Sequence, residues 1–131
     1  MNTPEIVSHL LPNEIFVFGS NYAGMHGAGA AYDAVRRFGA RNGIGQGLCG
    51  NSYGIATKGH SLEVLPINRI QAGVERFARE AEAMRQLRFL VTPIGCGLAG
   101  YAPRDIAPLF RGVVDFGNVI LPKCFTDILI P

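Results

Sequence analysis

The sequence predicts an α/β fold, a mostly parallel mixed sheet with helices on both faces. Three observations lead there. Short apolar runs alternate with amphipathic helical stretches, the order that gathers parallel strands into one sheet and lays helices against it. Of the 131 residues, 17 are glycine, about twice the usual share, and they gather in three places, each beside a strand-like run. A chain of 131 residues that is 48% hydrophobic and 17% charged suits one domain, residues 1–131, able to bury a core without disulfides.

The elements follow in order. Ile6, Val7, Leu10 and Leu11 suit a short edge strand or one helical turn, and Pro12-Asn13 reads as a turn. Glu14–Phe18 is a short apolar run typical of a buried strand. The first helix runs from Gly27 or Ala28 to Phe38, with Ala28, Ala31, Val35 and Phe38 spaced along one buried face. Arg36 and Arg37 suit the negative end of its dipole, and Gly39 is its stop.

Arg41–Ser52 is the second glycine-rich stretch. Gly45-Gln46-Gly47-Leu48-Cys49-Gly50 has the letters of a dinucleotide fingerprint, but that motif must follow a strand and open a helix. Here it precedes the strand Ser52–Thr57, so it reads as a flexible surface loop. Lys58 follows directly, then the loop Gly59-His60-Ser61. A second helix begins near Pro66 or Ile67, with Ile67, Ile70, Val74, Phe77, Ala81 and Met84 as its apolar stripe. Glu75, Arg76, Arg79, Glu80 and Glu82 fall on its solvated side. Arg88–Thr92 is a buried central strand and Pro93–Tyr101 the third glycine-rich loop. A short helix over Pro103–Phe110, a strand over Asn118–Pro122 and a small terminal strand over Ile128–Ile130 complete the chain.

The stretch Ile15–Ala31 carries the functional signal. A strand, a glycine-rich loop and a helix N-terminus in that order leave backbone N–H groups unpaired, and the helix dipole favours negative charge there. Gly27 and Gly29 let backbone approach a ligand. In a parallel sheet, ligands lie outside the carboxyl ends of the strands. The loops 19–29 and 93–101, with Thr57-Lys58 as a third element, converge there, so a phosphate-bearing small molecule is expected.

Other classes fit less well. A net charge of +2 and the lack of basic–aromatic clusters give no case for nucleic acid. Cys49, Cys96 and Cys124 lie far apart, against a disulfide framework or a zinc site, and fit a reducing, cytoplasmic compartment. No metal or cofactor is expected. No signal peptide or membrane-spanning run is visible.

Four motifs in order carry a resemblance. They are His26-Gly27-Ala28-Gly29-Ala30-Ala31, Arg36-Arg37-Phe38-Gly39, Ile55-Ala56-Thr57-Lys58 and Ile94-Gly95-Cys96-Gly97-Leu98. Over roughly residues 15 to 121 the chain resembles the macrodomain family, a three-layer α/β/α fold that binds ADP-ribose. The nearest branch contains the terminal ADP-ribose protein glycohydrolase. The resemblance implies that Gly27, Ala28 and Gly29 hold one part of a diphosphate and that Gly95, Cys96, Gly97 and Leu98 wrap the distal phosphate and ribose. It implies Lys58 as the nucleophile on the anomeric carbon of that ribose. Asn21 is either a ribose contact or a turn residue bonding local backbone. His26 is a phosphate contact or general acid, or it closes the loop. Asp105 is the only nearby carboxylate, either assisting Lys58 or capping a helix. Gly19, Ser20, Thr57, Ala99 and Gly100 complete the ligand-binding set, and Tyr101 and Phe125 either stack on a base or pack internally.

Two departures stand out: Ala99 occupies the position of the branch's aspartate, and no aspartate precedes Ile15 to take the adenine amine. The expected function is binding of ADP-ribose, an ADP-ribosylated substrate or a related ADP-ribosyl group, with hydrolysis of an ADP-ribosyl linkage through Lys58, assisted by Asn21, His26 or Asp105. The alternative is a non-catalytic reader or sponge for a nucleotide-derived signal.

Overall fold

In the computed structural model, which describes residues 1–131, the central strand is β1, Glu14–Asn21. Strand β3 (Ser52–Lys58) runs parallel on one side of it and β4 (Arg88–Val91) parallel on the other. Outside β4 lies the parallel β5 (Val119–Ile120), and outside β3 the antiparallel β2 (Gly47–Cys49). The order β2-β3-β1-β4-β5 makes a mixed, mostly parallel sheet, so β4 stands one place off the centre expected for it. The helices are α1 (Gly29–Arg37), α2 (Ile67–Ala83), α3 (Pro103–Ile106), which passes into a 3-10 helix over Ala107–Val113, and α4 (Lys123–Leu129). No helix is long and apolar enough to cross a membrane.

Side chains of a strand alternate between its two faces, and β1 feeds a separate core with each. Ile15 and Val17 join the larger core with Ile70, Val74, Phe77 and Ala81 of α2 and with Phe110 and Phe125. Phe16 and Phe18 join a smaller core with Ala31, Ala34 and Phe38. Each large side chain fully buried in this way contributes about 1.5–3 kcal/mol. The Phe16 and Phe38 rings, 4.7 Å apart, add roughly 0.5–1.5 kcal/mol as an aromatic pair.

Several local expectations are corrected. Helix α1 starts at Gly29 and buries Ala31 and Ala34, whereas Ala28 is exposed and Val35 half-buried. Small side chains at the contact let the helix lie close on Phe16 and Phe18. The stretch Arg41–Ser52 is no flexible loop. It contains β2, and Gly45 is pressed so closely on β1 that a Cβ there would sit 1.9 Å from the Asn21 carbonyl oxygen. Gln46 Oε1 accepts the Ala56 N–H at 2.9 Å. Glu80, read as solvated, is half-buried. Its Oε1 accepts the Tyr53 hydroxyl at 2.9 Å and Arg76 Nε at 2.6 Å. Burial, then the Glu80 carboxylate, holds the Tyr53 hydroxyl far above its ordinary pKa.

The C-terminal expectation also fails. Residues 123–129 are helical, not a strand over Ile128–Ile130, because Phe125 and Leu129, four apart, both pack on the larger core. The helix over Pro103–Phe110 breaks at Ala107, where Pro108 cannot supply the next backbone donor. Residues 1–13 form neither expected element. Thr3 bridges to Pro122, its N–H donating to the Leu121 carbonyl at 3.0 Å.

Candidate functional site

Three parallel strands end side by side, β3 at Lys58, β1 at Asn21 and β4 at Val91. A register shift between Ser20 and Asn21 sets Asn21 opposite Lys58. The loops that leave these ends, with the first turns of α1, enclose an open cleft of about 520 Å³.

One wall is the start of α1. Ala28, in extended conformation, precedes the helix without a side-chain cap, and the first turn has no acidic residue. The N–H groups of Gly29, Ala30 and Ala31 have no backbone acceptor, as expected of a first turn. The facing wall is the loop after β4. Gly95 turns it with φ +74°. The loop closes on itself through Tyr101 N–H to Gly95 O at 2.8 Å and Gly100 N–H to Gly97 O at 3.0 Å, and the N–H groups of Gly97, Leu98 and Ala99 stay unpaired.

Lys58 is the sole charged side chain lining the cleft. It is half-buried and belongs to none of the three ion pairs of the fold. No Asp, Glu, His or Cys lines the space. A cation, a helix N-terminus and unpaired backbone donors on facing walls make a surface that accepts an anion.

The expected residues divide in two. Gly19, Ser20, Asn21, Gly27, Ala28, Gly29, Thr57, Lys58, Gly95, Gly97, Leu98 and Ala99 line the cleft. Within this set the Asn21 amide is spent on local backbone. Its Nδ2 donates to Met25 O at 2.8 Å and its Oδ1 accepts Met25 N–H at 2.9 Å, clamping the first loop.

His26, Cys96, Gly100, Tyr101, Asp105 and Phe125 do not line it. His26 is buried, with Nε2 donating to Ile44 O at 2.9 Å and its ring edge-on to Phe18, so it closes the loop. Cys96 packs against the larger core. Burial, then its neighbours Cys124 and Asp105, pushes its thiol up to about 11, so it is protonated at neutral pH. The Tyr101 hydroxyl donates to Leu65 O at 2.6 Å. Asp105 Oδ2 accepts the Ala102 N–H at 3.0 Å and so caps α3. Phe125 is fully buried, 5.4 Å from the Phe110 ring, and has no face free for a base.

The cleft also includes Met25, Pro93 and Ile94, inside the two loops expected there, Ala30 and Ala31 of the first motif, and Leu62 and Thr92, which sequence reasoning missed. Thr92 follows directly from the end of β4 and was findable by extending that loop. Leu62 carries no such signal, because nothing in its residue type marks the left-handed backbone it adopts, φ +63°.

The chain matches no protein-family model, no curated protein and no solved structure. The fold and the site together define an α/β protein with an open cleft at the carboxyl ends of its parallel strands.

Proposed function

We propose that this chain is a macrodomain-like protein, layered α/β/α, that binds ADP-ribose or a related ADP-ribosyl group in the cleft. One observation carries the reading. Lys58 lines the cleft together with two glycine-rich loops whose backbone donors lack partners, it belongs to no ion pair, and no carboxylate lines the walls. A diphosphate supplies the charge and the acceptors that such walls lack. In the catalytic form of the reading, the Lys58 amine attacks the anomeric carbon of the distal ribose and displaces the linked group, and water then cleaves the lysine–ribose bond to free ADP-ribose and the amine. The attack needs the amine freed of its proton and a proton donor for the leaving group.

A second reading, a non-catalytic reader or sponge, is favoured by Ala99 and by the engagement of Asp105 and His26 elsewhere. Calorimetric titration with ADP-ribose, paired with mass-spectrometric assay of an ADP-ribosylated peptide, separates the two. Lys58→Ala is expected to weaken ADP-ribose binding by about ten- to a hundredfold, the worth of one charge-assisted contact, without lowering the melting temperature. Turnover that depends on Lys58 supports the glycohydrolase. Binding without turnover supports the reader. No binding of ADP-ribose ends both.

A further inference from the structure

Lys58 aside, every polar side chain that lines the cleft is engaged with backbone. Ser20 Oγ donates to Asn21 O at 3.5 Å, Thr57 Oγ1 to Ser20 O at 3.2 Å and Thr92 Oγ1 to Val17 O at 2.7 Å. Asn21 is held at both ends of its amide by Met25. No acidic side chain is present to accept an exocyclic amine.

What the rim offers instead is apolar. Met25, Leu62 and Leu98 come from three different loops, line the cleft, and are 60%, 42% and 74% exposed. Leu62 is the chain's sole non-glycine residue with positive φ, a backbone state costly for such a side chain and typical of functional loops. The turn is held by Leu62 N–H to Gly59 O at 3.1 Å, Gly59 N–H to Glu63 O at 2.8 Å and Ser61 N–H to Glu63 Oε1 at 3.1 Å. It places an apolar side chain in the cleft a few residues from Lys58.

A site rejects a near-isostere strongly only where its own polar groups would be left unpaired, and apolar contact discriminates weakly. Every base has an apolar face. We propose that the cleft is base-tolerant: it takes nucleoside diphosphates and their sugar derivatives by their phosphates and by apolar contact of Met25, Leu62 and Leu98 with the base, without selecting adenine. This rests on the phosphate-binding part of the function proposed above, narrows its ligand class, and sets the Leu98 side chain at the base in place of the distal ribose that the resemblance implies for it.

The test is calorimetric affinity for ADP-ribose, ADP, GDP, UDP and inorganic pyrophosphate, measured on the wild type, Leu62→Asn and Leu98→Ala. Asparagine tolerates the left-handed backbone, so the turn survives in the first variant, and Leu98 is too exposed to hold the fold. ADP, GDP and UDP are expected within about fivefold of one another, with pyrophosphate weaker by about tenfold or more. Each variant is expected to weaken all three nucleotides by roughly three- to tenfold and to shift pyrophosphate by about twofold at most. A preference for ADP of more than about tenfold over GDP and UDP overturns base tolerance. Unchanged nucleotide affinities in both variants overturn the apolar contact. Nucleotides bound alike while ADP-ribose is refused would sink the ADP-ribose reading and leave base tolerance standing. ADP-ribose bound with strict adenine selection would do the reverse, and refusal of every probe ends both.

Discussion

Gly45 and Gly54, beside and within the sheet, and Gly27 and Gly97, in the two loops at the cleft, have opposite surroundings. None of the four has a positive φ, so backbone conformation does not explain any of them. At Gly45 a Cβ would lie 1.9 Å from the Asn21 carbonyl oxygen, and at Gly54 2.8 Å from the Gly45 carbonyl oxygen. At Gly27 and Gly97 a Cβ would meet nothing within 4 Å, and both line the cleft. The first pair is glycine because backbone packs on backbone. The second pair has no such reason inside the protein, and both of its members line the cleft.

The largest effect is expected at Gly45. Gly45→Ala forces β1 and the stretch before β2 apart, and the expected loss is about 3 kcal/mol or more of folding stability. Urea denaturation reads it. A variant as stable as the wild type would mean that the two backbones are not in contact.

At Gly97 and Gly27 the expected signs are reversed. An added methyl narrows the unfolded ensemble without strain, so Gly97→Ala and Gly27→Ala should hold or raise stability by about 0.5 kcal/mol. The same methyl stands in the cleft, and ADP-ribose affinity should fall by about tenfold, about 1.4 kcal/mol. Melting curves and titrations on the same samples test both halves. Loss of stability with unchanged affinity would place these glycines with Gly45.

Asp105 extends the contrast to a charged residue. It is expected to behave like Gly45, as part of the frame. Asp105→Ala removes the acceptor of the Ala102 N–H and should cost about 1 kcal/mol or less, with ADP-ribose affinity unchanged. A fall in affinity or turnover at constant stability would return Asp105 to the chemistry.

The strand, loop and helix from Glu14 to Arg37 were legible because a buried strand and an amphipathic helix each have a period, and their junction has a composition. Lys58 at a strand end was legible for the same reason. A glycine, however, looks the same whether its missing Cβ avoids a carbonyl or leaves room, so Gly45 read as flexible. Strand β2 has three residues and no period to read. Helix α4 hid behind the apolar run Ile128-Leu129-Ile130, since its register is fixed by Phe125 against Phe110, a contact between distant residues. Of the apolar rim, Leu98 was named and Met25 lay in an expected loop, but Leu62 was missed because it enters the cleft through a backbone state that its residue type disfavours.

The finest division falls within one loop, between Cys96 and Gly97. They are neighbours in sequence, but Gly97 lines the cleft and Cys96 packs against the larger core. Burial and the neighbouring Cys124 and Asp105 raise the Cys96 thiol from 9.0 to about 11. The folded state therefore holds this proton more tightly than the unfolded chain. Below pH 9 the thiol is protonated in both states and its contribution is constant. As pH rises from 9 towards 11 the unfolded chain loses the proton first, and folding stability falls. Cys96→Ala removes that dependence, although Cys124, raised in the same direction, keeps its own. The stability difference between wild type and Cys96→Ala should then shift against the wild type between pH 8 and pH 10. Alkylation of Cys96 at pH 8 should be slower than that of an ordinary exposed thiol. Rapid alkylation at pH 8, with no such shift in the difference, would put Cys96 on the cleft side with Gly97, where a stabilised thiolate would belong to the site.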